Sequence, residues 1–434
     1  MSESATDASQ LRMWQGITVT TLFVGYAGYY VCRSVLPVAS NAMLNDPELQ
    51  FDEVSYGRLV AVGIYLYAIG KLVNGIVTEY VGGRLMFLLG MVLSALCVAA
   101  FGVVGSASLF LLLWGANRFV QSMGWGGLVQ ITGRWFHPAK LATVMGILSL
   151  SYLFGDALGR LYLGAFAKAG ATWQQLFGIA SSTLLAVAVV AFFTLKNSPK
   201  TIGAAEAPPP PLNVHGADDG RGVVSLFALL GPLVRSPMFL FVCLMNAGLT
   251  SIRETFNAWT PRYLEIGVGL DPNICGLLSF LFPFVGAIAS LLAGWGADRL
   301  RGHYGRLIVI SMIPTIVALF TFANVDLHDR GVLALTLISS VALFVMGPYT
   351  YCSGVLAMNL GGRRAAAASA GIIDAVGYLC GAVISGEIAG PLVKQHGFAP
   401  LLQLLAWLAV ATFVVAVVYW RLEERRFRQN EAMP

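Results

Sequence analysis

Long apolar stretches, each of about 20 residues, alternate with short polar segments along the whole chain. A helix of roughly 20 residues is long enough to cross the hydrocarbon core of a bilayer. We therefore predict an all-α membrane protein with twelve transmembrane helices and almost no extramembrane domain. The predicted spans, numbered 1 to 12 in chain order, cover residues 16–39, 57–80, 84–105, 108–133, 141–168, 173–195, 236–262, 273–298, 305–325, 331–359, 364–393 and 398–420.

The composition agrees with this pattern. Of the 434 residues, 57% are hydrophobic and 11% are charged, whereas soluble domains carry roughly 25% charged residues. This excludes a soluble enzyme. The five histidines form no evident cluster with a nucleophile or with metal ligands in the sequence. We therefore predict no catalytic residues, no metal and no cofactor.

The lysines and arginines are distributed unevenly between the loops. If both termini lie on one side, most basic residues fall on that side, and cytoplasmic loops are the ones enriched in Lys and Arg. We predict a multi-pass protein of the cell (inner or plasma) membrane, monomeric, with both termini cytoplasmic. No basic patch is interleaved with exposed aromatics, so we expect a lipid bilayer and no nucleic acid as partner. The opposite loops hold only Arg58, Lys168, Arg262, Arg330 and Lys394.

One long polar interruption, residues 197–222, divides the spans six and six. It contains four consecutive prolines at 208–211 and two aspartates, a composition typical of a mobile linker. We predict an N-terminal six-helix half at 1–196, a cytoplasmic linker at 197–235 and a C-terminal six-helix half at 236–434.

Two arginines, Arg33 and Arg253, lie within apolar stretches 220 positions apart. An arginine at bilayer depth costs roughly 2.5–3.5 kcal/mol and pairs with an acid, a carbonyl or a ligand. Two of them at matching places predict one central anion site. The alternative is an internal salt bridge without substrate contact, although the neighbouring Glu254 is expected to point roughly 100° away from Arg253 on a helix.

A second feature repeats at nearly the same interval. A glycine, an acid and an arginine follow each other at the ends of spans 2 and 8, and the two acids are 219 positions apart. Two features that repeat at nearly the same separation along the chain indicate two parallel, homologous halves. The acids and arginines predict a gating contact through loop charges or a helix terminus, unless the arginines merely follow the positive-inside rule. These predicted gating residues are Glu79, Arg84, Asp298 and Arg299.

The repeated stretches resemble the Gly-x-x-x-Asp-Arg-x-Gly signature of the major facilitator superfamily, and the resemblance covers essentially the whole chain. The segment Gly-Tyr-Ala-Gly-Tyr-Tyr-Val-Cys-Arg, ending at Arg33 in span 1, is similar to a segment of the organophosphate:phosphate antiporter family. Arg253 lies six residues before Trp-Thr-Pro-Arg-Tyr-Leu in span 7, which resembles a second segment of that family. The stretches at 121–125 and 377–381 also match.

The resemblance implies a major facilitator fold and the exchange of an organic phosphate for inorganic phosphate, as two six-helix halves rock about a central site. It implies that Arg33 and Arg253 bind phosphate. The other substrate-binding residues that it implies are Lys71, Tyr26, Tyr30 and Tyr378. Tyr26, Tyr30 and Arg33 also share one helix face by their spacing, while Lys71 could instead extend toward an interface.

The cavity also departs from these carriers. Tyr152 stands where the glycerol-phosphate carriers have a span 5 histidine, and we include it among the substrate-binding residues. Asp374, one turn before Tyr378, is expected either to face the cavity, accepting sugar hydroxyls or balancing the arginines, or to pair with a donor such as Arg118. The spacing of Asp156 and Arg160 predicts an intrahelical pair.

We therefore predict a secondary active transporter that moves a phosphorylated small organic anion, such as a sugar phosphate or glycerol phosphate, in exchange for inorganic phosphate. One alternative is a proton-coupled symporter of an organic anion or phosphonate, which the acids Asp156, Glu254 and Asp374 suggest. The other is a transporter-like sensor of sugar phosphates. The sequence identifies neither the organic moiety nor the direction of transport.

Overall fold

The described part of the chain is mainly helical in a computed structural model. The structure describes residues 2–44, 46–49, 53–210, 212–215, 225–271, 275, 278–299 and 303–431, and these ranges contain no strand. The predicted linker residues 211 and 216–224, the start of predicted span 8 at 273, and Arg301 and Gly302 after the second repeat lie outside the described residues.

Ten described helical segments are long and apolar enough to cross a membrane. The other two crossings are spans 4 and 7. Span 4 consists of two helices that meet at Ser122, and span 7 joins a shorter preceding helix at a bend of 76°. The helices of spans 1 to 6 are Ser2–Leu44, Glu53–Val81, Gly83–Phe101, Ala107–Gln121 with Met123–Trp135, Leu141–Lys168 and Trp173–Thr194. Those of spans 7 to 12 are Pro237–Ile266, Leu281–Arg299, Tyr304–Asn324, Gly331–Thr350 with Tyr351–Leu356 and Ala357–Gly361, Ala366–Ala382 with Val383–Ile388 and Ala389–His396, and Phe398–Glu431.

The twelve-span, all-α architecture is thus confirmed, and the differences lie at the ends of helices. The first helix begins at Ser2 and the last extends to Glu431, well beyond the apolar stretches that define spans 1 and 12. The apolar pattern marks where a helix meets lipid, whereas helical hydrogen bonds continue into water as long as the residues permit them.

The linker is more structured than its composition predicts. The helix Leu226–Arg235 lies within predicted residues 197–235 and meets span 7 at Ser236. Upstream, the amide of Ala207 donates to the carbonyl of Arg134 at 3.2 Å, and the amide of Val214 donates to the carbonyl of Leu360 at 3.0 Å. The described part of the linker is therefore attached to both spans 4 and 10.

The two sets of six spans meet mainly through spans 2 and 11 and through spans 5 and 8. Small residues allow the backbones to approach closely there. A Cβ atom added at Gly75 of span 2 would lie 2.7 Å from the carbonyl oxygen of Ala367 in span 11, and one added at Gly294 of span 8 would collide with the carbonyl of Ala142 in span 5. Because twelve crossings place the two termini on one side, which we call the termini face, both close approaches lie toward that face.

Candidate functional site

A cavity of about 560 Å³ lies between the two sets of spans. Its lining extends to Pro37, Arg160 and Ser385, which lie toward the ends of spans 1, 5 and 11 that are remote from the termini face. The cavity is therefore reached from the face opposite the termini, while the glycine-rich contacts hold the termini face together. Lining residues with polar side chains include Tyr30, Arg33, Tyr67, Arg118, Tyr152, Arg253 and Tyr378.

Arg33 enters the cavity from span 1 between two tyrosine rings. Its Nη1 donates to the hydroxyl of Tyr30 at 2.8 Å, and its Cζ lies 4.4 Å from the ring centroids of both Tyr30 and Tyr67. A guanidinium at this distance from an aromatic face is stabilised by a cation–π interaction. The Nε of Arg33 is buried and has no hydrogen-bond partner within the described structure.

Arg253 from span 7 has a closely parallel environment. Its Nη2 donates to the hydroxyl of Tyr378 at 3.1 Å, and its Cζ lies 4.2 Å from the ring centroid of Tyr349. Its Nε is likewise buried without a partner in the part of the chain that the structure describes. The expectation that Glu254 points away is wrong: its carboxylate contacts Nη2 of Arg253 because both side chains are long enough to bend back along the helix.

Lys71 and Asp374 form a buried ion pair between spans 2 and 11. Lys71 Nζ lies 2.8 Å from Asp374 Oδ2, and their side chains are 3% and 2% exposed. Lys71 therefore does not extend toward an interface, and Asp374 pairs with a donor of another helix, as one of the two expectations has it, although the donor is Lys71 and not Arg118. Neither residue is among those that line the cavity. The pair lies behind the cavity wall, so a substrate-binding role for either residue stays a prediction.

The predicted tyrosines divide into two groups. Tyr30, Tyr152 and Tyr378 line the cavity, with the rings of Tyr30 and Tyr152 5.9 Å apart. Tyr26 is 3% exposed and packs between Tyr30 and Trp125, at centroid distances of 5.6 and 5.5 Å, so it supports the lining from behind in this conformation.

The predicted pair of Asp156 and Arg160 is confirmed at the mouth of the cavity, where Arg160 Nε lies 3.0 Å from Asp156 Oδ2. Ser34 of span 1 donates its hydroxyl to Asp156 Oδ1 at 2.8 Å. This cluster ties spans 1 and 5 together at the rim.

Two residues at the site were missed from the sequence. The ring of Tyr67 contacts Arg33, and the ring of Tyr349 contacts Arg253. The available signal was weak: Tyr67 lies one helical turn before Lys71, and a lone tyrosine in a span is commonly a core aromatic.

The two predicted gating acids cap helices across the interface. Glu79 Oε1 in span 2 accepts from the backbone amides of Ala367 and Ala368 at the start of span 11, at 2.5 and 3.0 Å. Asp298 in span 8 accepts from the amides of Ala142 and Thr143 at the start of span 5, at 3.2 and 2.8 Å. Each acid therefore satisfies unpaired helix amides and the positive end of a helix dipole.

The two predicted gating arginines do not take part in these contacts. Arg84 donates to the carbonyls of Leu195 and Phe192 at the end of span 6, at 2.7 and 2.6 Å, within its own half. Arg299 is exposed, and its Cζ lies 3.9 Å from the ring of Trp295 on its own helix. The symmetric contact is thus made by the acids alone.

A twelve-span bundle with a polar cavity open to one face and helix-capping acids closing the other defines a membrane carrier. The sequence profile of the Major Facilitator Superfamily matches residues 22–385, and the chain belongs to this superfamily of transporters. The solved structure of the proton:xylose symporter XylE shares the fold, with a TM-score of 0.72 at 12% identity, over 94% of this chain and 96% of that one. The major facilitator fold, with two six-helix halves, is therefore confirmed.

Two transporters named for organic phosphates and one membrane sensor protein are similar to this chain over nearly its full length. A probable hexose phosphate transport protein of Chlamydia pneumoniae is 22% identical, covering 96% of this chain and 94% of its own. The glycerol-3-phosphate transporter of Bacillus subtilis is 22% identical, with coverages of 98% and 96%. The membrane sensor protein UhpC of Escherichia coli is 23% identical, with coverages of 92% and 91%. The resemblance to the organophosphate:phosphate antiporter family is thereby confirmed.

The helix-capping contacts predict a specific change in amide exchange. Replacing Glu79→Ala removes the charged acceptor of two amides, so hydrogen–deuterium exchange in peptides that cover the start of span 11 should quicken by about tenfold. Asp298→Ala is the matched variant and should act in the same way on the start of span 5. Unchanged exchange at both helix starts would show that these carboxylates do not hold the termini face closed.

The ion pair of Lys71 and Asp374 predicts a non-additive effect on stability. Lys71→Gln or Asp374→Asn alone leaves one buried charge without its partner and should destabilise the protein by about 3 kcal/mol. The double variant leaves two neutral amides and should melt at a higher temperature than either single variant. Thermal unfolding of the purified protein in detergent measures this, and a double variant as unstable as the sum of the singles would contradict the pairing.

Proposed function

We propose that the protein is a secondary active transporter that exchanges a phosphorylated small organic anion for inorganic phosphate. The observation that supports this most strongly is the pair Arg33 and Arg253: one arginine from each half lines the same cavity, and each has a buried Nε without a partner in the described structure. An anion in the cavity would accept hydrogen bonds from the guanidinium hydrogens that the tyrosine partners leave unused.

Phosphate fits these donors better than other small anions do. A guanidinium is a planar fork that matches two oxygens of a phosphate, and such charge-assisted hydrogen bonds are about twice as strong as neutral ones. The hydroxyls of Tyr30 and Tyr378, each already bonded to its arginine, lie beside the forks and can bond further phosphate oxygens. A halide would leave most of these donors unused.

Binding between the halves also provides a physical reason for exchange. With the cavity empty, closing the outer ends would bury the uncompensated charge of Arg33, whereas a bound dianion attracts the arginines of both halves. Closure over the ligand would then be accompanied by release of Glu79 and Asp298 from the helix ends that they cap. The return movement needs another anion, which makes inorganic phosphate the counter-substrate in this proposal.

The relatives support phosphate as the shared chemical group, because the two transporters are named for hexose phosphate and for glycerol 3-phosphate. In our proposal the protein works in a lipid bilayer, as a monomer of two halves at 1–196 and 236–434 with cytoplasmic termini. In this orientation the cavity described above faces outward, ready to take up an external anion.

A second function, sensing, is favoured by the similarity to UhpC, which is named as a membrane sensor protein. A sensor would bind an organic phosphate at the same arginines without carrying it across.

Proton coupling has less support, since Asp156, Glu254 and Asp374 each pair with a basic side chain. Vesicles loaded with phosphate separate these cases: exchange without a pH gradient supports antiport, binding without transport supports sensing, and uptake that requires a pH gradient supports symport.

The arginine pair makes a direct prediction about transport. In phosphate-loaded proteoliposomes, Arg33→Lys and Arg253→Lys should each slow phosphate-dependent exchange by about tenfold or more, because a lysine keeps the charge but replaces the fork by a point donor. The matched control is Arg306→Lys, an exposed position outside the cavity lining, which should exchange at the wild-type rate. Near-normal exchange in either cavity variant would refute the two-fork site.

A further inference from the structure

A third arginine, Arg118 of span 4, lies in the cavity beside Arg33. Arg118 is 9% exposed and lines the cavity. Its Cζ lies 4.5 Å from the ring centroid of Tyr67, the same ring that Arg33 contacts at 4.4 Å. One tyrosine therefore holds two guanidinium groups in the N-terminal half.

The surrounding residues hold Arg118 in place. Its Nη1 donates to Gln121 Oε1 at 3.1 Å, and Gln121 is itself oriented because its Nε2 donates to Ser94 and Asn117, each at 3.2 Å. Gly63 of span 2 leaves room for the arginine stem, since a Cβ atom there would lie 3.2 Å from Arg118 Cγ. The arginine is thus fixed by hydrogen bonds and packing before any ligand binds.

The charges in and around the cavity are not balanced evenly. Lys71 is paired with Asp374, and Arg253 is paired with Glu254. Arg33 and Arg118 have no carboxylate within salt-bridge distance anywhere in the described ranges, and their partners are a phenol, an amide and the shared ring. The unneutralised positive charge of the cavity is therefore concentrated in the N-terminal half.

We infer that Arg118, together with Arg33, forms a second anion-binding subsite, and that the preferred substrates carry an additional acidic group besides the phosphate. The chemical class is a small phosphorylated carboxylic acid. The inference rests on the proposed function: the phosphate lies between Arg33 and Arg253, and Arg118 receives the carboxylate. A carboxylate is planar and accepts two parallel hydrogen bonds from a guanidinium, as the fork of Arg118 offers.

Two probes with the same three-carbon skeleton test this directly. 3-Phosphoglycerate carries a carboxylate where glycerol 3-phosphate carries a hydroxymethyl group, so their comparison isolates the second acidic group. In phosphate-loaded proteoliposomes, the wild-type protein should have at least about tenfold higher apparent affinity for 3-phosphoglycerate. Arg118→Gln should abolish this preference by lowering the affinity for 3-phosphoglycerate much more than the affinity for glycerol 3-phosphate, while Arg118→Lys should retain part of the preference.

Arg262→Gln is the matched control, because it removes a positive charge toward the same open face but outside the cavity lining, where Arg262 pairs with Glu265 at 2.9 Å. It should leave the preference unchanged. Equal affinities of the two probes for the wild-type protein would overturn the inference, as would an Arg118→Gln variant that weakens both probes equally. A bisphosphate bound more tightly than 3-phosphoglycerate would overturn the assignment to a carboxylate.

A binding measurement separates this inference from the proposed transport function. Stabilisation of the purified protein against heat by each probe requires no transport, so it still compares the two ligands if the protein only senses them. Preferential stabilisation by 3-phosphoglycerate that is lost in Arg118→Gln supports the subsite even without exchange. Equal stabilisation by the two probes refutes the subsite, whether or not the vesicles exchange phosphate.

Discussion

The structure depends on how buried positive charge is stabilised between two helical halves. An arginine in an apolar span loses its hydration, and each one here recovers part of that loss from tyrosine rings and hydroxyls. A cation–π contact in a water-poor site contributes about 2 kcal/mol, which reduces the cost without removing the charge. Arg33 and Arg253 consequently remain as positive charges in the lining of a cavity that an anion can fill.

The two halves stabilise their buried positive charges in different ways. In the C-terminal half Arg253 has the carboxylate of Glu254 beside it. The pair of Lys71 in span 2 and Asp374 in span 11 joins the two halves. In the N-terminal half Arg33 and Arg118 share the ring of Tyr67 instead. In our proposal, the symmetric pair of arginines places the ligand between the halves, and the asymmetric surroundings distinguish its two ends.

The fold and part of the site could be predicted from the sequence. The apolar stretches predicted the positions of the spans because a bilayer imposes a similar length on every crossing. The nearly equal sequence separations of the two arginines and of the two acids indicated the two halves. The contacts made by Glu79 and Asp298 agree with the helix-terminus alternative, since both acids lie at the ends of their spans.

What could not be predicted depends on which helices are neighbours. Lys71 and Asp374 are 303 positions apart, so their pairing needs the packing of span 2 against span 11. The contact between Glu254 and Arg253 could not be predicted from helical spacing. That spacing fixes the directions of the two Cβ atoms, whereas the ends of two long side chains can still meet. The role of Tyr67 likewise follows from the convergence of spans 1, 2 and 4 on one ring, which no local pattern encodes.

The most direct test of the central claim is an experimental structure of the protein with inorganic phosphate bound. We expect one phosphate whose oxygens lie within hydrogen-bonding distance of both Arg33 and Arg253, with the halves closer at the open face than they are without ligand. A phosphate bound by only one of these arginines, or held at the rim by Arg160, would contradict the account.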